Sequence, residues 1–179
     1  ITDSGAGDGC TIAIGANITG DVTVAVASDT VGITFDGATA STLKGNLVLS
    51  GAVDHAVTFG TVADNTITGT LTGSTAVDTL NFTENGTITG LADLDDGANV
   101  VNIAAGKTAT FTGGISATAA DGEINLTGAG TLAGNVTMTD AVAHKLIFNG
   151  TDGQQITGTV TGSTAVETLT FTTSGTITG

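Results

Sequence analysis

Apolar residues recur along this chain in two interleaved series. In the first, an apolar residue between small polar neighbours is followed by glycine, as in Thr66-Ile67-Thr68-Gly69. The apolar members are Ile18, Leu43, Ile67, Ile88, Phe111, Leu132, Ile156 and Ile177, and the glycines Gly20, Gly45, Gly69, Gly90, Gly113, Gly134, Gly158 and Gly179, spaced 21 to 25 residues apart. The second series is a set of apolar pairs at i and i+2: Ile12/Ile14, Ile33/Phe35, Val57/Phe59, Leu80/Phe82, Val101/Ile103, Ile124/Leu126, Leu146/Phe148 and Leu169/Phe171, repeating every 21 to 24 residues. A spacing of two sets both side chains on one face of a strand and the residue between them on the other. A period of this length over the whole chain predicts an all-β β-solenoid, or β-helix, of about seven to eight coils. Stacked at about 4.8 Å per coil, the rod would be roughly 35 Å long.

All six phenylalanines, Phe35, Phe59, Phe82, Phe111, Phe148 and Phe171, occupy inward slots of the two series, so the reading predicts that they stack along the core. Residues 45–59 return at 134–148, and residues 67–90 at 156–179, both at an offset of 89. The chain therefore reads as one solenoid domain, residues 1–179, made of a repeat at 1–90 and a second at 91–179.

Composition fits that picture. Pro, Trp and Tyr are absent, and Thr, Val and Gly abound, as stacked strands with tight turns require. Asp-Gly pairs at Asp8-Gly9, Asp36-Gly37, Asp96-Gly97, Asp121-Gly122 and Asp152-Gly153 supply turns that tolerate positive φ. Three Lys and no Arg stand against 17 acidic residues, a net charge of −14, which excludes nucleic-acid binding through a basic surface. Such a surface suits a protein that stays soluble outside the cell or binds divalent cations. The sequence shows no transmembrane helix or signal peptide. Cys10 is the single cysteine, so these residues hold no disulfide or thiolate cluster, and it reads as a packed small residue.

Candidate chemistry is sparse. His55 and His144 are equivalent under the 89-residue offset and read as turn or surface residues about four coils apart, too far to share a metal. Asp78 and Glu167 are likewise equivalent and read as solvated turn acids; the acids as a class fall outside the inward slots. Ser74 and Ser163 recur in GSTAV without a nucleophile elbow or a local base. With acids scattered over turns, the expectation is a protein without catalytic residues. A polysaccharide-acting β-helix enzyme built on paired carboxylates is the least favoured alternative. For cofactors the expectation is none. The weak exception is calcium, for which Asp93, Asp95 and Asp96 at the junction of the repeats, with Asp3 and Asp8 in the related region, offer hard oxygen ligands. Six N-x-[ST] sequons, from Asn17 to Asn149, read as chance matches in so Asn- and Thr-rich a chain.

The outward positions of the first series are mostly threonine: Thr66/Thr68, Thr87/Thr89, Thr110/Thr112 and Thr176/Thr178 form paired files, interrupted by Lys44, Ala133 and Gln155. Such T-x-T arrays resemble the ice-binding faces of β-solenoid antifreeze proteins, which makes ice binding an alternative function.

The phrases NITGDVTV at 17–24, TLNFTENGTITG at 79–90, GEINLTGAGTLAGNVTM at 122–138 and TLTFTTSGTITG at 168–179 resemble the Gly/Thr/Asn-rich passenger regions of bacterial autotransporters. The rickettsial outer-membrane surface antigens and the β-strand-repeat segments of bacterial surface-layer proteins are the nearest in kind. The resemblance implies an extracellular rod at the bacterial cell surface, used for adhesion to a host or cell-surface receptor or for building a coat or fibre. No polar cap is legible at either end of the chain, and open solenoid ends need covering. The expected partner is the chain itself, or further repeats of it. The coil around Thr176, Ile177 and Thr178 would meet the coil around Cys10, Ile12 and Ile14 of the next copy.

Overall fold

The computed structural model describes residues 2–3, 10–26, 30–118, 122–139, 141–165 and 167–179. Among these every regular element is a strand, and the strands form three parallel eight-stranded sheets. The chain visits the sheets in rotation, as at Leu71–Thr72, Asp78–Phe82 and Gly86–Ile88 of sheets 1, 2 and 3. Each sheet gains one strand per circuit, giving an all-β solenoid of about seven turns with the apolar column enclosed between its three sides. No helix is present among the described residues, so none is long and apolar enough to cross a membrane.

Sheets 2 and 3 carry the two apolar series. In sheet 2 the strands His55–Phe59 and Asp78–Phe82 alternate buried and half-buried positions, as period-two patterning against one covered face demands. Sheet 1 holds a third apolar row that the periodicity did not reveal: Val24, Leu47, Leu49, Leu71, Ala92, Leu94, Ile115, Ala117, Val136 and Met138 are all buried. Several of its strands contain only two residues, too few for an alternation to stand out.

Most of the phrase glycines have a steric cause. A Cβ on Gly90 would lie 2.6 Å from the Gly69 carbonyl oxygen, and one on Gly113 would lie 2.5 Å from the Gly90 carbonyl carbon. Gly45, Gly69, Gly158 and Gly179 meet the glycine one coil below in the same way. Successive backbones touch at this corner, with the Gly90 N–H donating to the Gly69 carbonyl at 3.0 Å. The requirement is close approach, because Gly45, Gly69, Gly90 and Gly113 do not adopt positive φ.

Register departs from the expected alignment at one step. Val101 pairs with Leu126 and Asn99 with Ile124, so the Ile124/Leu126 pair lies two residues along from its predicted place. Sheet 3 slips equally, with Ala109 rather than Phe111 opposite Leu132. Sheet 1 does not slip, since Ile115 still faces Val136. The corners absorb the difference. A slip of two keeps every inward side chain inward, whereas a slip of one would have turned the core out.

The slip also divides the aromatic column. Phe35, Phe59 and Phe82 stack with centroids 4.9 and 4.5 Å apart, and Phe111, from a different sheet, meets Phe82 edge-on at 5.7 Å. Ile103 follows Phe82 and then faces Gly128, while Phe148 and Phe171 form a second stack at 4.5 Å. Five of the six rings are buried, and Phe171 in the last coil is 47% exposed. The corner glycines divide at the same step, because Gly134 abuts the Phe111 carbonyl and not Gly113.

Buried amides close the corners. The Asn65 side chain donates to the Gly60 and Val62 carbonyls and accepts from the Ser41 N–H at 2.8 Å. Asn99 donates to Leu94 and Asp96 and accepts from the Asp78 N–H at 2.8 Å. Each therefore satisfies turn carbonyls that would otherwise be desolvated without a partner.

Candidate functional site

The repeat supplies its own control for what a covered coil looks like. Residues 67–90 carry a further coil, and beneath it Asp78, Leu80 and Ile88 are 0% exposed and Phe82 is 1% exposed. At an offset of 89 the same positions form the last coil, where Leu169 is 49% and Phe171 47% exposed and Ile177 is half-buried. Among the described residues, no strand pairs with the outer edge of Thr168–Phe171. Near-identical sequence is thus covered by a further coil in one place and, among the described residues, by none in the other. The sequence reading placed Thr176, Ile177 and Thr178 at this end and treated Leu169 and Phe171 as an inward pair.

The other end is less open. Cys10 begins the strand Cys10–Ile14 opposite Val31, its side chain outside the described residues, as is Asp8. Ile12 and Ile18 are partly buried, and Ile14 is 1% exposed.

The threonine array exists but is not one lattice. Thr66, Thr87 and Thr110 form a file that passes to Ala133, Thr157 and Thr178. Thr176 belongs to a different file, through Gln155 and Thr131 to Thr108. The two-residue slip displaces the paired threonines of the early coils from those of the late ones. Thr68, Thr89 and Thr112 remain exposed beside the first file.

The histidines and their acids differ from expectation. His55 and His144 are 1% and 0% exposed, and Asp78 is fully buried in an inward slot of sheet 2. The reason is register: Asp78 is the strand partner of His55 one coil below, so the two stack inside the column. His55 Nδ1 lies 3.2 Å from Asp78 Oδ1, and the carboxylate accepts the Ser74 N–H at 2.5 Å and the Ser74 hydroxyl at 3.1 Å. The copy repeats this with His144 Nδ1 3.6 Å from Glu167 Oε2, the His144 N–H donating to that oxygen at 2.9 Å, and the Ser163 hydroxyl and N–H donating to Oε1. Both serines therefore do have a local acid. In each cluster the acid sits between hydroxyl and imidazole, whereas nucleophile activation needs the imidazole in the middle.

The two acids titrate in opposite senses. Burial pushes Asp78 above the usual carboxylate range, against the pull of the Ser74 donors and His55. Burial also acts on Glu167, but Ser163, the His144 amide and the His144 ring together outweigh it and leave the carboxyl low. A raised folded-state pKa gives stability that is complete below the unfolded value, about 3.9 for Asp, and declines as pH rises through the folded value. A lowered one gives stability that is present above about 4.3 for Glu and is lost as pH falls. Asp78→Asn should therefore reduce the loss of stability between acid and neutral pH, and Glu167→Gln should lower stability at pH 7 but not at pH 3. Urea unfolding at both pH values checks the pair; the same sign for both variants would contradict the assignment.

The carboxylates at the repeat junction are already engaged. Asp93 accepts from the Ser116 hydroxyl at 3.1 Å, from Thr118 at 2.9 and 3.0 Å and from the Asp95 N–H at 3.3 Å, and Asp96 accepts from the Gly97 N–H at 2.7 Å. Among the described residues no three His, Cys, Asp or Glu are gathered as a metal site, so the expected grouping of Asp93, Asp95 and Asp96 as calcium ligands is not formed. Burial and the charges of Asp93 and Asp96 push the Asp95 carboxyl up.

No family model, curated protein or solved structure matches this chain. What it does must be argued from the coil surfaces themselves.

Proposed function

We propose that this chain is an extracellular structural or adhesive rod of the bacterial surface kind, which associates end to end into a fibre or coat and acts through its surfaces without catalysis. The supporting observation is the way coils seat on one another in parallel register, with Leu80 and Phe82 on Val101 and Ile103 and Leu146 and Phe148 on Leu169 and Phe171, so that any coil of the rod offers the same kind of edge to a further strand. Wherever such a rod ends, a strand edge favours pairing with another strand over remaining in water. The acidic surface, with Lys107 and Lys145 held by Glu84 and Glu123 at 2.6 and 3.2 Å, keeps the sides of such rods mutually repelling and leaves the ends as the adhesive part. The resemblance to autotransporter passengers and surface-layer repeats supports the extracellular setting.

The test is sedimentation velocity with electron microscopy over a concentration series at about 0.15 M salt, where long-range repulsion is screened. The chain should form elongated species that lengthen with concentration, and Phe171→Glu, which charges the open face, should remain monomeric with its β-sheet circular dichroism intact. A wild-type chain that stays monomeric at every concentration would remove the proposal.

A further inference from the structure

An apolar column cannot by itself choose between registers two residues apart, because each exchanges one inward side chain for another. We infer that the buried pair of His55 and Asp78 makes this choice, holding the strand Asp78–Phe82 in a single register on His55–Phe59. A buried polar residue sets the register of a coiled coil in the same way.

The first inward position of sheet 2 passes from Val31 to His55 and from His55 to Asp78, all at most 1% exposed. Besides the Asp78 carboxylate 3.2 Å from Nδ1, nothing among the described residues answers the two ring nitrogens of His55. A slip of two in the sense seen at Val101 and Leu126 would set Leu80 on His55 and Phe82 on Val57, and would carry Asp78 out to the corner. The apolar residues would stay inward. The imidazole would not keep its partner, and a buried polar ring under a leucine is costly.

The other steps of the same sheet supply the comparison. Where the pair recurs, as His144 with Glu167 at 3.6 Å, Leu146 and Phe148 sit on Leu169 and Phe171 in the common register. Where Ala98–Ile103 meets Glu123–Gly128 no such pair exists, and there the strand has slipped by two. Asn99 spends its side chain on the Leu94 and Asp96 carbonyls and on the Asp78 N–H, so it asks nothing of Ile124 opposite. Apolar steps can also keep the common register, as Ile33 and Phe35 do on Val57 and Phe59, where the stacked rings of Phe35 and Phe59 supply another restraint. A step without the pair is free to slip; a step with it is not.

Disulfides between outward positions of sheet 2 read the register directly. In a Cys10→Ser background, Ala56→Cys with Thr79→Cys joins residues that are partners in the common register. Their separation of about 4.8 Å lies within disulfide reach. Ala56→Cys with Asn81→Cys stands about 8 Å apart, out of reach unless the strand slips by two, and Thr58→Cys with Thr79→Cys reports a slip the other way. With His55 and Asp78 present, oxidation should close the first pair and leave the other two open. His55→Leu, which keeps Asp78 and its Ser74 donors, and His55→Leu with Asp78→Val should each raise the ratio of slipped to common bridge roughly tenfold or more. Asp78→Asn, which leaves His55 a polar neighbour and Ser74 an acceptor, should keep the original ratio. An unchanged ratio in both leucine variants, whatever their stability, would overturn the inference. So would loss of β-sheet circular dichroism in both, which would make the pair a stability element and not a register device.

Discussion

Phe59→Ala is expected to lower the free energy of unfolding by about 3–5 kcal/mol, while Phe171→Ala costs about 1 kcal/mol, the scale of a lost aromatic stack at an exposed site. Phe59 is sandwiched between the parallel rings of Phe35 and Phe82 and is wholly buried. Its ring also fills the space left by Gly86, where a Cβ would stand 2.7 Å from the Phe59 Cδ1. Removing the ring opens a cavity walled by sheet backbone, which cannot collapse without breaking interstrand bonds. Phe171 has the same residue type and the same stacking geometry toward Phe148, and is 47% exposed. Equilibrium denaturation of the two variants, at a concentration low enough to keep the chain monomeric, measures the difference. Equal losses at both positions would mean that the column is not the main source of stability.

The fold was legible because three sheets with one strand each per circuit impose a fixed period, and sheet 2 has strands long enough throughout to show an inward pair. The i, i+2 pairs found sheet 2, and the glycine phrases found sheet 3 together with the corner where backbones touch. Sheet 1 stayed hidden because strands such as Leu71–Thr72 offer one inward residue each, and a single apolar residue has no period of its own. The register slip was hidden for a related reason. Moving Ile124 and Leu126 by two exchanges one inward residue for another, so the pattern reads the same with Leu126 against Val101 as against Ile103.

The buried clusters escaped notice because His55 and Asp78 are polar letters in inward slots. Linear periodicity counts such letters as interruptions, and only the stacking of one coil on the next shows that they answer each other. The recurrence of both at an offset of 89 was a usable signal, since a solvated turn residue has no reason to keep a partner one coil away. The difference in exposure between Leu169 and Phe171 on the one hand and Leu80 and Phe82 on the other comes from the coil stacked on the latter and not from their own sequence.

Gly90→Ala is expected to cost about 1–3 kcal/mol through overpacking and to loosen the solenoid on both sides of the substitution. The obstacle is backbone: the new methyl would meet the Gly69 carbonyl oxygen at 2.6 Å and the Thr70 nitrogen at 2.8 Å, and that carbonyl also receives the Gly90 N–H. Relief requires the coils to part, which strains the bonds from the Thr89 N–H to the Ile67 carbonyl and from the Leu71 N–H to the Leu91 carbonyl. Gly106→Ala is the control, since Gly106 has open space around it and only its φ of 72° to lose, a local cost of about 1 kcal/mol. Because each coil rests only on its neighbours, damage at one corner spreads a short way and then fades. Hydrogen exchange should therefore show lost protection at Leu71, Thr89 and Gly90, with protection kept in residues 154–157. A Gly90→Ala variant no less stable than Gly106→Ala, or one whose exchange rises evenly along the whole rod, would show that the glycine ladder is not what sets the spacing of the coils.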